Sequence, residues 1–226
     1  MEIRIFDLGV THFQESWDFQ KKLLLETVNS PFPFNLVICQ HYPVFTWGRS
    51  AGIKNILATE KNAREKGIRV YKVERGGDFT YHGPGQVTAY PVFNLEFLKK
   101  DLHWFLRSLE EVALKVAASF GVEAERKAGL TGVWFRNRKL ASIGIAVKNW
   151  VTFHGMSINV TSDDLGNFRL IRPCGMDIEM TSLEDILRRK IDIDDVKKSL
   201  ISEIKAVYKL GTAVFYAENH PCPAVY

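Results

Sequence analysis

One cysteine in this sequence has neighbours that would suit it to nucleophilic chemistry. Cys174 stands between Pro173 and Gly175, and Arg172 lies two positions before it. A proline–glycine turn can present a sulfur, and a nearby cation favours the thiolate, which is the nucleophilic form. These features indicate Cys174 as a nucleophile, and the same features are compatible with a structural thiol.

The other two cysteines are weaker candidates for chemistry. Cys39 ends an apolar run and is most simply a core thiol. Cys222 lies in a proline-bounded tail and could share a metal with His220, but two ligands alone do not make a metal site, so we expect none. Three cysteines, odd in number and far apart, argue against a disulfide framework and favour a reducing, cytoplasmic location.

A second segment that could do chemistry is the run from Arg75 to Gln86, RGGDFTYHGPGQ, with glycines at 76, 77, 83 and 85. Glycines allow positive φ and close approach to a ligand, and their exposed N–H groups can bind an oxyanion. A tight hairpin connection is the alternative. The run matches neither GxGxxG nor GxxxxGK[ST], which excludes a dinucleotide loop or a P-loop.

Lys139 and His154 complete the set of candidates. Lys139 opens the run LASIGIAV, whose small residues suggest a strand lying against a ligand or another backbone, although a lysine at a strand edge is often only a solvated charge. His154 lies within FHGMSINV, where it could face a bound group or serve as a hydrogen-bonded structural residue.

Composition narrows the class of protein. The chain has 226 residues, 46% of them hydrophobic and 25% charged, which is typical of a folded globular protein. A net charge of +4 suits acidic partners but lacks the concentrated basic face of a nucleic-acid binder. The first residues do not resemble a signal peptide, and no apolar run of about 18 residues predicts a membrane span.

Hydrophobic periodicity predicts the elements that must position these groups. Helical spacing covers Phe13–Val28 and Asp101–Phe120, the second with Asp101 as N-cap and Gly121 as stop, and a late helix runs through Val196, Leu200, Ile204 and Val207. The segment HYPVFTWGRSAG is expected to be a loop. Strands are predicted over Glu2–Leu8, Asn35–Cys39, Ile68–Val73, Val87–Phe93, Gly132–Phe135, Leu140–Val147, Phe153–Val160 and Ala213–Tyr216.

The order of these elements predicts the fold class. Strands and helices do not alternate strictly, and the turn after Phe135 predicts an antiparallel meander. No linker rich in proline, glycine or serine divides the chain. We therefore expect an α+β fold over residues 1–226, a single domain with a mixed or antiparallel sheet and flanking helices.

Taken together, the motifs resemble the lipoyl(octanoyl) transferase family. The resemblance rests on RGGDFTYHGPGQ, TGVW (131–134), RKLASIGIAV, HGMSINV and RPCGM in this order, and it covers residues 35 to 185. It implies the fold shared by biotin and lipoate protein ligases, with Cys174 as the acyl-thioester cysteine and Lys139 as the lysine that lowers its pKa. The substrate contacts it implies are Arg75, Gly76, Gly77, Asp78, Phe79, Thr80, Tyr81, His82, Ser142, Ile143, Gly144, Gly155, Met156 and Ser157.

The resemblance also implies the reaction and the partners. An octanoyl group would pass from acyl carrier protein, where it is held on phosphopantetheine, to a lysine of a lipoyl domain in 2-oxoacid dehydrogenase complexes or of the glycine cleavage H protein. No separate cofactor, metal, nucleic acid or membrane would be involved. Glycines at 76, 77, 144 and 155 are expected to open a slot for the acyl chain.

Three alternatives stay open at this point. The same fold serves ATP-dependent lipoate or biotin ligases, although Cys174 would be superfluous in adenylate chemistry. An amidotransferase that moves octanoyl between carrier proteins is poorly separated by sequence. A module that only docks lipoyl domains would require neither Lys139 nor Cys174. The chain departs from the family pattern at Trp47, Phe79 and Arg172, which affects acyl fit and partner choice.

Overall fold

The structure is a computed structural model that describes residues 1–52, 60–171 and 178–216. An eight-stranded sheet has the order β11-β1-β2-β6-β10-β9-β8-β7, in which β1 is parallel to β2 and β11 and the other pairs are antiparallel. Its strands are β1 Ile3–Thr11, β2 Phe34–His41, β6 Gln86–Phe93, β7 Glu125–Lys127, β8 Leu130–Phe135, β9 Arg138–Lys148, β10 Val151–Asn159 and β11 Ala213–Tyr216.

A second sheet of three short strands lies beside the first. Its order is β4-β3-β5, with β3 parallel to β4 and antiparallel to β5. The strands are β3 Val44–Trp47, β4 Arg69–Lys72 and β5 Phe79–His82. The prediction that HYPVFTWGRSAG is wholly loop is therefore wrong, because Val44 to Thr46 are buried by pairing with β5, which comes from the glycine-rich segment.

The helices are α1 Phe13–Thr27, α2 Leu102–Ser119, α3 Leu183–Leu187 and α4 Ile193–Val207, with 3₁₀ turns at Leu95–Phe97 and Leu165–Leu170. The Asp101 carboxylate caps α2 by accepting from the Trp104 N–H at 3.0 Å, and Gly121 follows the helix at a φ of +81°. No helix in the described ranges is long and apolar enough to cross a membrane.

Helices cover both faces of the main sheet. The apolar faces of α2 and α4 pack on one side in the largest core cluster, which includes Phe105, Leu109 and Leu200. On the other side α1 contributes Leu23 and Leu24 to a separate cluster. The predicted α+β class is confirmed, and so are the predicted helices and the antiparallel meander β8-β9-β10. These layers leave a space between β6, β9 and β10 of the main sheet and the small sheet.

Candidate active site

One cavity of about 240 Å³ occupies this space. Residues from the glycine-rich segment, β9 and β10, far apart in the chain, meet in its wall. The predicted site residues that line it are Arg75, Gly76, Gly77, Asp78, Phe79, Thr80, His82, Lys139, Ser142, Ile143, Gly144, Gly155, Met156 and Ser157. The segments selected for their chemistry therefore form one site.

Two candidates are not in this set. The Tyr81 ring is fully buried, where it packs against Phe45 and Phe168, and its hydroxyl accepts from Asn167 Nδ2 at 3.0 Å. Cys174 lies outside the described residues, as do Arg172 and Cys222. The chain on either side of 172–177 reaches the cavity, because Phe168 before it and Ile178 and Met180 after it are lining residues.

The backbone of Lys139 is hydrogen-bonded to the segment that follows Cys174 in the sequence. Its N–H donates to the Glu179 carbonyl at 2.8 Å, and its carbonyl accepts from the Thr181 N–H at 2.9 Å. The ammonium Nζ lies 5.3 Å from the centre of the Trp134 ring, a distance at which a cation is attracted to the aromatic face. A lysine at the start of β9 is thereby turned into the cavity, and the segment 178–181 is held alongside it.

The glycine-rich segment packs directly on β9. The Gly76 N–H donates to the Ile145 carbonyl at 2.9 Å, and a Cβ on Gly144 would lie 3.1 Å from the Gly76 carbonyl oxygen. Gly48, in the loop after β3, is tighter still, since its Cβ would lie 2.4 Å from the Gly77 oxygen. These glycines allow the neighbouring backbones to approach closely. The Gly76 N–H already donates to the Ile145 carbonyl, so it cannot also bind an oxyanion.

Arg75 anchors the segment to the small sheet. Its side chain is buried, and Nη2 donates to the Thr46 carbonyl at 2.7 Å and to the Thr46 hydroxyl at 2.9 Å. Nη1 donates to the Gly76 carbonyl at 3.0 Å. A buried guanidinium with several acceptors is a rigid support, so Arg75 contributes a fixed positive charge and a defined loop shape to the cavity wall.

His154 adopts a strained backbone in the cavity wall. Its φ is +57°, a left-handed conformation that is uncommon outside glycine, and its N–H donates to Gln20 Oε1 of α1 at 2.9 Å. Its Nε2 lies 3.4 Å from Glu74 Oε2, and this hydrogen bond lowers the pKa of Glu74 to about 2. Strain of this kind persists where surrounding structure enforces it, and it is frequent at functional sites.

Burial lowers the pKa of both histidines that line the cavity. Burial is the main cause that places the pKa of His82 well below its ordinary value, with the charge of His41 next, and burial likewise lowers the pKa of His154. His82 Nδ1 lies 3.1 Å from Gln86 Oε1, which fixes the ring. In the described ranges no group of three or more His, Cys, Asp or Glu is placed to hold a metal ion.

Other lining residues were not singled out from the sequence. Phe13 comes from α1, Thr46 from β3, Thr88 and Tyr90 from β6, and Phe168 from the 3₁₀ turn. They lie in ordinary apolar or alternating patterns, so no local signal distinguishes them from core residues. Thr131 and Trp134 are exceptions, because both belong to the TGVW motif.

Comparisons with known proteins agree on one family. The sequence model of the family described as lipoyl protein ligase A/B catalytic domain matches residues 12–205. An octanoyltransferase of Geobacter metallireducens is 44% identical over 197 residues, which are 87% of this chain and 89% of the relative. An octanoyltransferase of Syntrophotalea carbinolica is 40% identical over 210 residues, 92% of this chain and 95% of the relative.

Solved structures share the fold at low sequence identity. A lipoate-protein ligase A bound with ATP superposes with a TM-score of 0.77 at 14% identity, covering 96% of this chain and 90% of that one. A biotin protein ligase of Aquifex aeolicus is more distant, with a TM-score of 0.52 at 13% identity, covering 92% and 70%. The predicted resemblance to the biotin and lipoate ligase fold is confirmed.

Proposed function

Because this chain belongs to the lipoyl protein ligase A/B catalytic-domain family, we propose that it is an octanoyltransferase, which places an octanoyl or lipoyl group on a lysine of a lipoyl domain. The observation that carries the proposal is the cavity between the main sheet and the small sheet. Its wall combines Lys139, the glycine-rich segment and residues 178 and 180, which follow Cys174 closely in sequence.

Cys174 is proposed as the acyl carrier. In sequence it stands four residues before Ile178, which lines the cavity. Cys39 is a poor nucleophile by comparison, because it is fully buried and burial raises the pKa of its thiol.

The reaction runs in two thioester steps. The Cys174 thiolate attacks the carbonyl carbon of the octanoyl thioester on acyl carrier protein, a new C–S bond forms, and the phosphopantetheine sulfur leaves and takes a proton from the Lys139 ammonium. The amine of the lipoyl-domain lysine then attacks this enzyme thioester. The C–N bond forms, the C–S bond to Cys174 breaks, and neutral Lys139 accepts the amine proton.

These two steps need no ATP, because the acyl group is already activated as a thioester. Converting a thioester to an amide lowers the free energy. We propose that no metal or other cofactor takes part. The acyl tail occupies the cavity beside Phe13, Ile143 and Met156. Burying about seven methylenes at roughly 0.8 kcal/mol each gives an upper bound near 6 kcal/mol for its binding. The acceptors are the lipoyl domains of 2-oxoacid dehydrogenase complexes and the glycine cleavage H protein.

The test is a single-turnover mass measurement. Exposed to octanoyl carrier protein without an acceptor, the protein should gain one octanoyl group, labile to hydroxylamine and mapped to Cys174, and a lipoyl domain should discharge it. Cys174→Ser should lose nearly all transfer, because an alcohol is far less ionised than a thiol. Cys39→Ala is the matched control and should transfer at the wild-type rate.

Two results would contradict the proposal. Transfer by Cys174→Ser at the wild-type rate would exclude the thioester route. Acylation of the lipoyl domain from free octanoate and ATP, without transfer from octanoyl carrier protein, would make the chain a ligase of the same fold.

A further inference from the structure

A buried carboxylate on α2 lies directly behind the wall that carries Lys139. The Glu110 side chain is only 1% exposed. Its Oε2 accepts from Arg107 Nη1 at 2.6 Å and from Arg126 Nε at 3.1 Å, and its Oε1 accepts from the Gly132 N–H at 3.1 Å. A buried charge with three donors is costly to remove and strongly fixes the groups that it binds.

Gly132 connects this carboxylate to Lys139. Its φ is +126°, which favours glycine, and a Cβ added to it would lie 2.5 Å from Lys139 Cε and 3.2 Å from Nζ. The lysine side chain therefore passes directly over the Gly132 backbone. On its way it meets the Trp134 ring, and Trp134 pairs with Lys139 across β8 and β9. The position of Gly132 thus sets the path of the lysine stem.

Gly132 lies beside an irregularity in the pairing of β8 with β9. The pairing of β8 with β9 shifts register between Val133 and Trp134, immediately after Gly132. A register shift weakens the local ladder between β8 and β9, so a bond from outside the ladder adds to the support of the Gly132 peptide. The Gly132 N–H donates to a carboxylate on helix α2, which packs on this face of the sheet.

We propose that Glu110 is a positioning residue for Lys139: by holding the Gly132 N–H it keeps the glycine under the lysine stem and the ammonium aimed into the cavity. This role rests on the proposed function, in which Lys139 handles the proton. Arg107 and Arg126 neutralise the carboxylate, so it acts on the lysine through the backbone that it fixes and not through its own charge.

The chain offers a matched control for this role. Glu111, the next residue on α2, is 42% exposed and accepts from Arg126 Nη2 at 2.8 Å, but it has no bond to Gly132. Glu110→Ala removes the anchor, Glu110→Gln keeps an oxygen that can accept from Gly132, and Glu111→Ala removes only an ion pair with the same arginine. Each variant is checked for folding by its thermal melt.

Steady-state transfer from octanoyl carrier protein gives the first measurement. We expect Glu110→Ala to lower kcat by between about tenfold and a hundredfold, as small misplacements of catalytic groups do, with KM nearly unchanged. Glu110→Gln should recover most of the rate, and Glu111→Ala should match wild type. In a Lys139→Ala background, Glu110→Ala should cause no further loss, because two residues that act through one group are not additive.

A second measurement does not depend on the reaction. The rate at which a small anhydride labels Lys139 is read by peptide mapping against that of Lys197, which is buried and paired with Asp7 at 2.8 Å. Glu110→Ala should change the Lys139-to-Lys197 ratio severalfold, whereas general destabilisation would raise both rates together.

The outcomes separate the two proposals. An unchanged labelling ratio in folded Glu110→Ala, or an equal further loss of rate in the Lys139→Ala background, would overturn the positioning role. Full transfer by Lys139→Ala alone would instead overturn the proton-handling role of the lysine in the proposed function, and the labelling ratio would still report whether Glu110 positions it.

Discussion

Gly155 gives the sharpest prediction about how the site is built. A Cβ at this position would lie 2.2 Å from the Ala89 carbonyl oxygen and 2.7 Å from Pro91 Cδ, far below the contact distance of about 3.5 Å. Both obstacles belong to β6, which is fully buried and paired on both edges with β2 and β10, so it cannot retreat. Gly155→Ala must therefore separate β10 from β6.

The expected cost follows from these contacts. Overpacking a buried site costs about 1–3 kcal/mol, and a weakened ladder bond adds roughly 1 kcal/mol. The smaller entropy of the unfolded alanine chain returns only about 0.4–1 kcal/mol, so the net change is destabilising. The net cost is about 1–3.6 kcal/mol, and at about 2–4 °C per kcal/mol for a chain of this size we expect Tm to fall by roughly 2–14 °C.

The assay is a thermal melt followed by transfer measured well below Tm. Transfer should also slow, because Met156 and Ser157 follow Gly155 along β10 and line the cavity. Gly166→Ala is the control, since its Cβ would meet nothing within 4 Å and it should leave Tm nearly unchanged. If Gly155→Ala and Gly166→Ala both have the Tm of the wild type, the close approach of β10 to β6 does not exist as described.

The remaining predictions concern Lys139 and the buried histidines. Lys139→Ala should slow transfer by about 10²–10⁴-fold in a folded protein, and Lys139→Arg should rescue poorly because guanidinium does not act as a base near neutral pH; equal rates for both variants and wild type would be contrary evidence. Burial lowers the pKa of His41 from 6.5 to about 4, so the unfolded chain binds a proton that the folded chain does not. The free energy of unfolding should therefore decline as pH falls from about 6.5 towards 4, by at most about 3 kcal/mol for this residue, and His41→Gln should flatten the decline in urea titrations at pH 7 and 5.

Local patterns were sufficient for the long elements of the fold. The apolar stripe of α2 and the strand-like runs of β9 and β10 are visible in the sequence because each is a feature of one continuous segment. Strand β3 was missed for the opposite reason. Four residues among turn-formers carry no period, and their burial depends on pairing with Phe79 to His82, more than thirty residues later. Such pairing is a property of tertiary structure.

The site shows the same division. Arg75 and Lys139 were selected from the sequence by their residue types and motifs, and both line the cavity. Glu110 was not, because on α2 it is one acidic residue beside another, and Glu110 and Glu111 are indistinguishable by type and spacing. Only the packing of α2 on β8 makes one of them buried and the other exposed.

The glycines require a different physical account from the one that the sequence suggested. The expectation was that Gly144 and Gly155 open a slot for the acyl chain. Their missing side chains instead accommodate protein, the Gly76 carbonyl in one case and the Ala89 carbonyl in the other. The slot must then be shaped by side chains that face the cavity, such as Ile143 and Met156 on either side of these glycines. Acyl-chain length is therefore a question of side-chain volume, while the glycines fix how closely β9 approaches the glycine-rich segment and how closely β10 approaches β6.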